Sequence, residues 1–105
     1  MKQFVAVIRR VPYTQEGAAE TRVTFLDLFY SNGRACGVPQ YVGGYEEAAQ
    51  RLRLAGVSTR EIGEKRRNFA RGQQVRFAVS ANDETVKAMG FEPLWWVPAR
   101  FPATR

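Results

Sequence analysis

The sequence predicts an α+β fold, a single domain with a mostly antiparallel sheet carrying two to three helices on one face. Three observations lead there. Two β-branched and aromatic runs, Lys2–Val11 and Thr21–Tyr30, stand close together near the start with only a polar loop between them. Further on, helical segments alternate with extended ones, and LRLAGV and KAMGFEP each place a glycine and an apolar residue after a helical pattern. That is the chemistry of a helix laid across a sheet and returning to it. Finally, 105 residues with 45% hydrophobic and 12% aromatic content suffice for one core and are too few for two, so residues 1–105 form one domain.

The elements follow in order. From Lys2 to Val11, Phe4, Ala6 and Ile8 share one face while Val5 and Val7 share the other, which predicts a strand covered on both sides. Tyr13–Glu20 is polar around Gly17 and reads as a loop longer than the tightest hairpins use. Thr21–Tyr30 is the most hydrophobic stretch and predicts a central strand, ended by Ser31-Asn32-Gly33, where Asn-Gly tolerates the positive φ of a turn. The segment GRACGVPQYVGG is expected to stay irregular to about Gly44. Tyr45–Ala55 predicts a helix. Glu46 and Glu47 suit its positive end, Ala48, Ala49, Leu52 and Ala55 line one face, and Gly56 stops it.

Val57–Gly72 has two readings. Ser58 as N-cap with Glu61 three residues later makes a capping box for a basic helix ended by Gly72. Alternatively Val57–Phe69 is extended, although it shows no apolar alternation. Gln73–Ser80 alternates Val75, Phe77 and Val79 inward with Gln74, Arg76 and Ala78 outward, a half-buried strand. Asn82 and Asp83 cap a short helix through Met89, with Val86 and Met89 inward and Gly90 closing it. Phe91–Val97 predicts a last strand or arm that Pro93 pushes toward a sheet edge. With 57–69 extended, the order from Thr21 is ferredoxin-like βαββαβ with an extra N-terminal strand. With it helical, a meander-type sheet carries three helices, and the capping chemistry favours this arrangement.

The inventory excludes much chemistry. Histidine is absent, which removes the commonest general base and the usual nitrogen ligand of zinc. Cys36 is the single cysteine, so no internal disulfide or cysteine metal site can form, and a reducing, cytoplasmic setting is expected. As a nucleophile Cys36 would need a partner lowering its pKa, and Arg34 is the one candidate nearby, so a packed bystander thiol is the better reading. The apolar run Phe4–Ile8 is too short for a signal peptide or a membrane span. Gly43-Gly44 lacks the Lys-Ser/Thr ending of a phosphate-binding loop. Glu46 and Glu47 are adjacent and do not face each other, and Asp27 belongs on the polar side of its strand, paired with a neighbouring arginine. No catalytic residue, metal site or cofactor is expected, and the chain reads as a non-enzyme.

Two partial motifs touch the basic region. LRLAGVSTREIG has the spacing of two helices around a sharp turn, with Leu52, Gly56, Val57, Ser58 and Ile62 in place, but no third, apolar-spaced helix follows Ile62. ARGQQVRFAV matches an RNA-binding strand at Arg71, Gly72 and Phe77 only, with Gln73 where an aromatic residue belongs, so an ordinary half-buried strand is the better reading.

The charge is more telling. Sixteen basic residues, thirteen of them arginine, against ten acidic ones give a formal charge of +6. Arg60, Lys65, Arg66, Arg67, Arg71 and Arg76 fall within seventeen residues that hold just two acids, Glu61 and Glu64. Such a segment can neutralise several phosphates, and Phe69 in its midst is a candidate for stacking on an unpaired base. The C-terminal FEPLWWVPARF makes Trp95, Trp96 and Phe101 candidate interface residues, for an acidic protein surface or a second copy in a homodimer. The expectation is therefore a small basic accessory or regulatory protein that binds nucleic acid, DNA rather than RNA. The alternative is a protein-interaction module of the inhibitor or adaptor kind that phages and mobile elements encode. Neither reading involves a membrane.

Overall fold

Alternation of apolar side chains builds the sheet. The computed structural model describes residues 1–13, 17 and 21–93 of the chain. Within them β1 (Lys2–Tyr13) and β2 (Thr21–Tyr30) pair antiparallel from Phe4↔Tyr30 to Tyr13↔Thr21. β3 (Gln40–Val42) adds to the outer side of β2, and β4 (Gln74–Ala81) returns to pair antiparallel with β1. The order is β3-β2-β1-β4. Three helices complete the described chain: α1 (Tyr45–Leu54) and α2 (Thr59–Gly72) between β3 and β4, and α3 (Asp83–Ala88) after β4.

Register decides which side chains form the core. Phe4, Ala6 and Ile8 of β1 stand between Tyr30, Leu28 and Leu26 of β2 and Val79, Phe77 and Val75 of β4, all buried. They join Ala48, Ala49 and Leu52 of α1, Ile62 and Phe69 of α2, and Val86 of α3 in one apolar cluster. The three helices therefore share one face of the sheet. The other face carries Val5, Val7, Arg9, Phe25, Asp27, Phe29 and Arg76, and no described helix packs on it. The described helices thus cover β1 on one side. Val7 is buried all the same, with Asp27 and Arg76 as its cross-strand neighbours.

Capping settles the ambiguous segment. Ser58 is extended, its Oγ accepts the Glu61 N–H at 3.0 Å, and residues 59–72 are helical. Extended pairing of Val57–Phe69 is overturned, and with it the ferredoxin-like order. The apolar residues of this segment, Ile62 and Phe69, lie seven apart and so share a face of a helix. The stop falls one residue later than expected: Gly72 is still helical, and Gln73 takes the left-handed conformation (φ 65°) with its N–H donated to the Phe69 carbonyl.

Two further differences concern loops. β3 lies inside the stretch expected to be irregular, held by Thr24↔Val42 to Leu26↔Gln40. Phe91–Pro93 forms no strand, and Phe91 is buried. The rest of the expected C-terminal strand, including Trp95, Trp96 and Phe101, lies outside the described residues. Where the chain passes Gly37 (φ 75°), a Cβ would come within 2.9 Å of the Glu92 nitrogen, so glycine is needed for close approach as well as for its dihedral.

Candidate nucleic-acid interface

Helical periodicity sorts the predicted cations of α2 into separate directions. Ile62 and Phe69 face the sheet, and Phe69 is 4% exposed. Directly opposite them, at steps of four, three and four residues, stand Arg60, Glu64, Arg67 and Arg71, all exposed. Arg60 Nε donates to Glu64 Oε2 at 3.1 Å across one turn. Both members of that pair are well exposed, so water and salt weaken it and the guanidinium stays exchangeable. Arg67 and Arg71 have no ion pair, hydrogen bond or ring contact among the described residues.

The flanks of the helix serve attachment. Arg66 leaves on the α1 side, its guanidinium 5.3 Å from the centre of the Tyr45 ring. Lys65 leaves on the β4 side, over the Phe77 ring at 4.5 Å, with Glu61 Oε2 at 3.4 Å and the Arg76 carbonyl as hydrogen-bond acceptor. Its ammonium is thus shared with groups that tie α2 to the sheet edge. Phe69 packs on Tyr45 with ring centres 5.0 Å apart, and the Arg10 guanidinium lies 4.5 Å above it. Tyr45 in turn donates its hydroxyl to the Ile62 carbonyl at 2.7 Å, and its burial raises its pKa. The expectation that Phe69 stacks on a base is therefore corrected. An aromatic residue at the buried helix position belongs to the core.

Arg76 is separated from the helix cations. It sits on β4 opposite Val7, between the inward-pointing Val75 and Phe77, and so projects from the face of the sheet that the helices do not cover. Of the six clustered cations, Arg60, Arg66, Arg67 and Arg71 expose their charge on α2, Lys65 is engaged at its edge, and Arg76 occupies the opposite side of the sheet.

That face, on which no described helix packs, has its own arrangement, which charge counting alone did not find. Arg9 Nε donates to Asp27 Oδ2 at 2.6 Å while its guanidinium lies 4.7 Å from the Phe25 ring centre. Phe25 meets Tyr41 edge to face at 6.1 Å, and Tyr41 is 67% exposed. Asp27 Oδ1 is buried with no hydrogen-bond partner among the described residues. The signal was partly present in the sequence, since strand parity puts Asp27 and Arg9 on one face; the diagonal pairing depended on register.

Cys36 is buried, and its thiol donates to the Glu92 carbonyl at 2.9 Å. Burial raises its pKa, as it does that of the adjacent Tyr30. A thiol so placed is kept protonated and withheld from solvent, the reverse of what a nucleophile needs. Among the described residues no group of three His, Cys, Asp or Glu side chains is placed to hold a metal ion, and no helix is long and apolar enough to cross a membrane. No protein-family model, curated protein or solved structure matches this chain.

Proposed function

We propose that the protein binds nucleic acid, DNA in preference to RNA, through the outward face of α2. One observation carries the reading: Arg67 and Arg71 project from the exposed side of a helix with no acidic partner among the described residues, beside Arg60 and Arg66. Guanidinium groups so presented on a rigid element are suited to phosphate, which arginine engages with two parallel hydrogen bonds. The formal charge of +6 adds long-range attraction to a polyanion. No chemistry is assigned, and the role is accessory or regulatory.

Fluorescence anisotropy with single- and double-stranded DNA and RNA across a salt series tests this. Affinity should fall steeply with salt. Each phosphate left without its arginine lowers the slope of log K against log salt by about 0.9, so Arg67→Glu/Arg71→Glu should reduce it, by about two where both guanidinium groups meet phosphate. Unchanged binding by the double variant, or none by the wild type at low salt, refutes the proposal.

A second reading, a protein-interaction module, is favoured by the sheet face on which no described helix packs, where exposed Tyr41 stands against Phe25 and Arg9 in the mixed aromatic and arginine chemistry of interface hot spots. It expects Tyr41→Ala to abolish capture of a protein partner while nucleic-acid affinity is nil.

A further inference from the structure

Resting on the nucleic-acid reading above, we infer that α2 is a recognition helix that enters the major groove of duplex DNA and reads guanines with Arg67 and Arg71. Connectivity is the first reason. α1 and α2 are joined by a four-residue turn in which the Leu52 carbonyl accepts from both the Ala55 and Val57 N–H groups, Gly56 has φ 85° and Val57 is buried. Ser58 then caps α2. Two helices joined by a short glycine turn are the parts of a helix-turn-helix unit, and in such units the second helix lies in the groove. The sequence lacked a third helix to play that part; the structure has no need of one, because α2 itself is long and exposed along its outer side.

Dimensions supply the second reason. A helix of 14 residues is about 21 Å long and, with side chains, about 10–12 Å across, which the ~12 Å major groove of B-form DNA admits. The deep, narrow major groove of duplex RNA does not. Beside the ridge, Gly63 and Ala70 are exposed and small, so a groove wall can approach the helix backbone on that side. Arg66, held over Tyr45 on the same flank, is placed for a phosphate of that wall.

Spacing supplies the third. Arg67 and Arg71 are four residues apart, about 6 Å along the axis, close to two base-pair steps of ~3.4 Å. An arginine that forks onto guanine O6 and N7 is the commonest specific contact in this groove. Arg60, beside Glu64, offsets the repulsion between that carboxylate and the duplex, and Glu64 adds an acceptor suited to the amino group of cytosine.

The test compares three probes by anisotropy at near-physiological salt: a mixed-sequence DNA duplex, the RNA duplex of the same sequence, and the DNA duplex with 7-deazaguanine for guanine, which removes the N7 acceptor. The DNA duplex should bind tightest, and the 7-deaza duplex should bind about 5- to 150-fold more weakly, the range of one good arginine-guanine pairing. Arg67→Ala/Arg71→Ala should erase that difference. Neither residue makes an ion pair, hydrogen bond or ring contact among the described residues, and an unchanged circular dichroism spectrum and Tm would confirm that the variant is folded. Equal affinity for all three probes, with a salt slope still reduced by the charge reversals, would overturn groove reading while leaving nucleic-acid binding intact. Absence of binding to every probe would overturn both.

Discussion

Phe69 separates two accounts of α2. On the core account, Phe69→Leu keeps most of the buried volume but removes the ring pair with Tyr45 and the face on which the Arg10 guanidinium rests. The ring pair contributes about 0.5–1.5 kcal/mol beyond area, and the cation–π contact about 0.5–1 kcal/mol. A loss of about 1–2.5 kcal/mol follows, or roughly 4–20 °C in Tm for a domain of this size. Phe69→Ala adds a cavity and should cost about 3–5 kcal/mol, a large share of the stability of a small domain. Arg10 sharpens the expectation, because its buried Nε has no hydrogen-bond partner among the described residues and its guanidinium lies over the ring. Thermal and urea unfolding read the stability, and anisotropy on folded Phe69→Leu reads the affinity, which should stay within about twofold of wild type, since a core ring touches no base. A stacking residue would behave in the opposite way. Removal would weaken binding by about 1–3 kcal/mol, roughly 5- to 150-fold, and leave Tm unchanged, and that pattern would refute the placement of Phe69 in the core.

The remaining predictions can be checked with the same material. Arg76→Glu should leave duplex binding nearly unchanged, because Arg76 projects from the opposite side of the sheet; a loss as large as that of Arg67→Glu, measured by anisotropy, would mean that the ligand wraps around the β4 edge. Arg9→Ala strands the buried Asp27 carboxylate and should cost about 3 kcal/mol or more in urea unfolding, whereas replacing both residues by leucine should be close to neutral. Gln73→Gly relieves a left-handed residue that is not glycine and should raise stability by about 0.5–1 kcal/mol, seen as a higher Tm. Cys36, Tyr30 and Tyr45 all hold their protons more firmly folded than unfolded, above ordinary values of 9.0 and 10.0. Their stabilising effect is complete below about pH 9 and declines as the unfolded groups ionise first, so urea midpoints should fall from about pH 9 upward. Cys36→Ala should shift the onset of that fall toward about pH 10, where the tyrosines ionise in the unfolded chain, and native Cys36 should react with a thiol reagent far more slowly than the unfolded chain.

Most of the fold was legible because it rests on local chemistry. The parity of Phe4, Ala6 and Ile8 set the core face of β1, the Ser58 and Glu61 box set the start of α2, and Asn82 set that of α3. β3 was not legible, since three residues between Pro39 and Gly43 carry no pattern, and only pairing with Thr24–Leu26 makes them a strand. The candidate site was legible as a charge cluster and illegible as a surface. A window of sequence counts Arg76 with Arg66 and Arg67, but at Gln73 the period changes from 3.6 to 2. After that point alternate residues leave the helix side altogether. The same change of period explains Phe69, which a window places among arginines and helical geometry places opposite them.

The division of labour along α2 makes the charge reading testable apart from folding. Attachment is carried by Ile62 and Phe69 in the core and by Lys65, which meets Phe77, Glu61 and the Arg76 carbonyl at the sheet edge. The Glu61–Lys65 pair has the favourable order, acid before base across one turn, and supports this attached side. On the outer side Arg67 and Arg71 are also four apart and carry like charges, which costs the helix about 0.2–0.5 kcal/mol in the absence of a ligand. Burial of Phe69 alone contributes several times that amount, so the helix persists with its outer charges uncompensated. An anion seated between the two guanidinium groups would remove their repulsion and gain two charge-assisted hydrogen-bonding partners at once. Substitutions at Arg67 and Arg71 therefore change the outer charge alone, while the residues that hold α2 to the sheet are left in place.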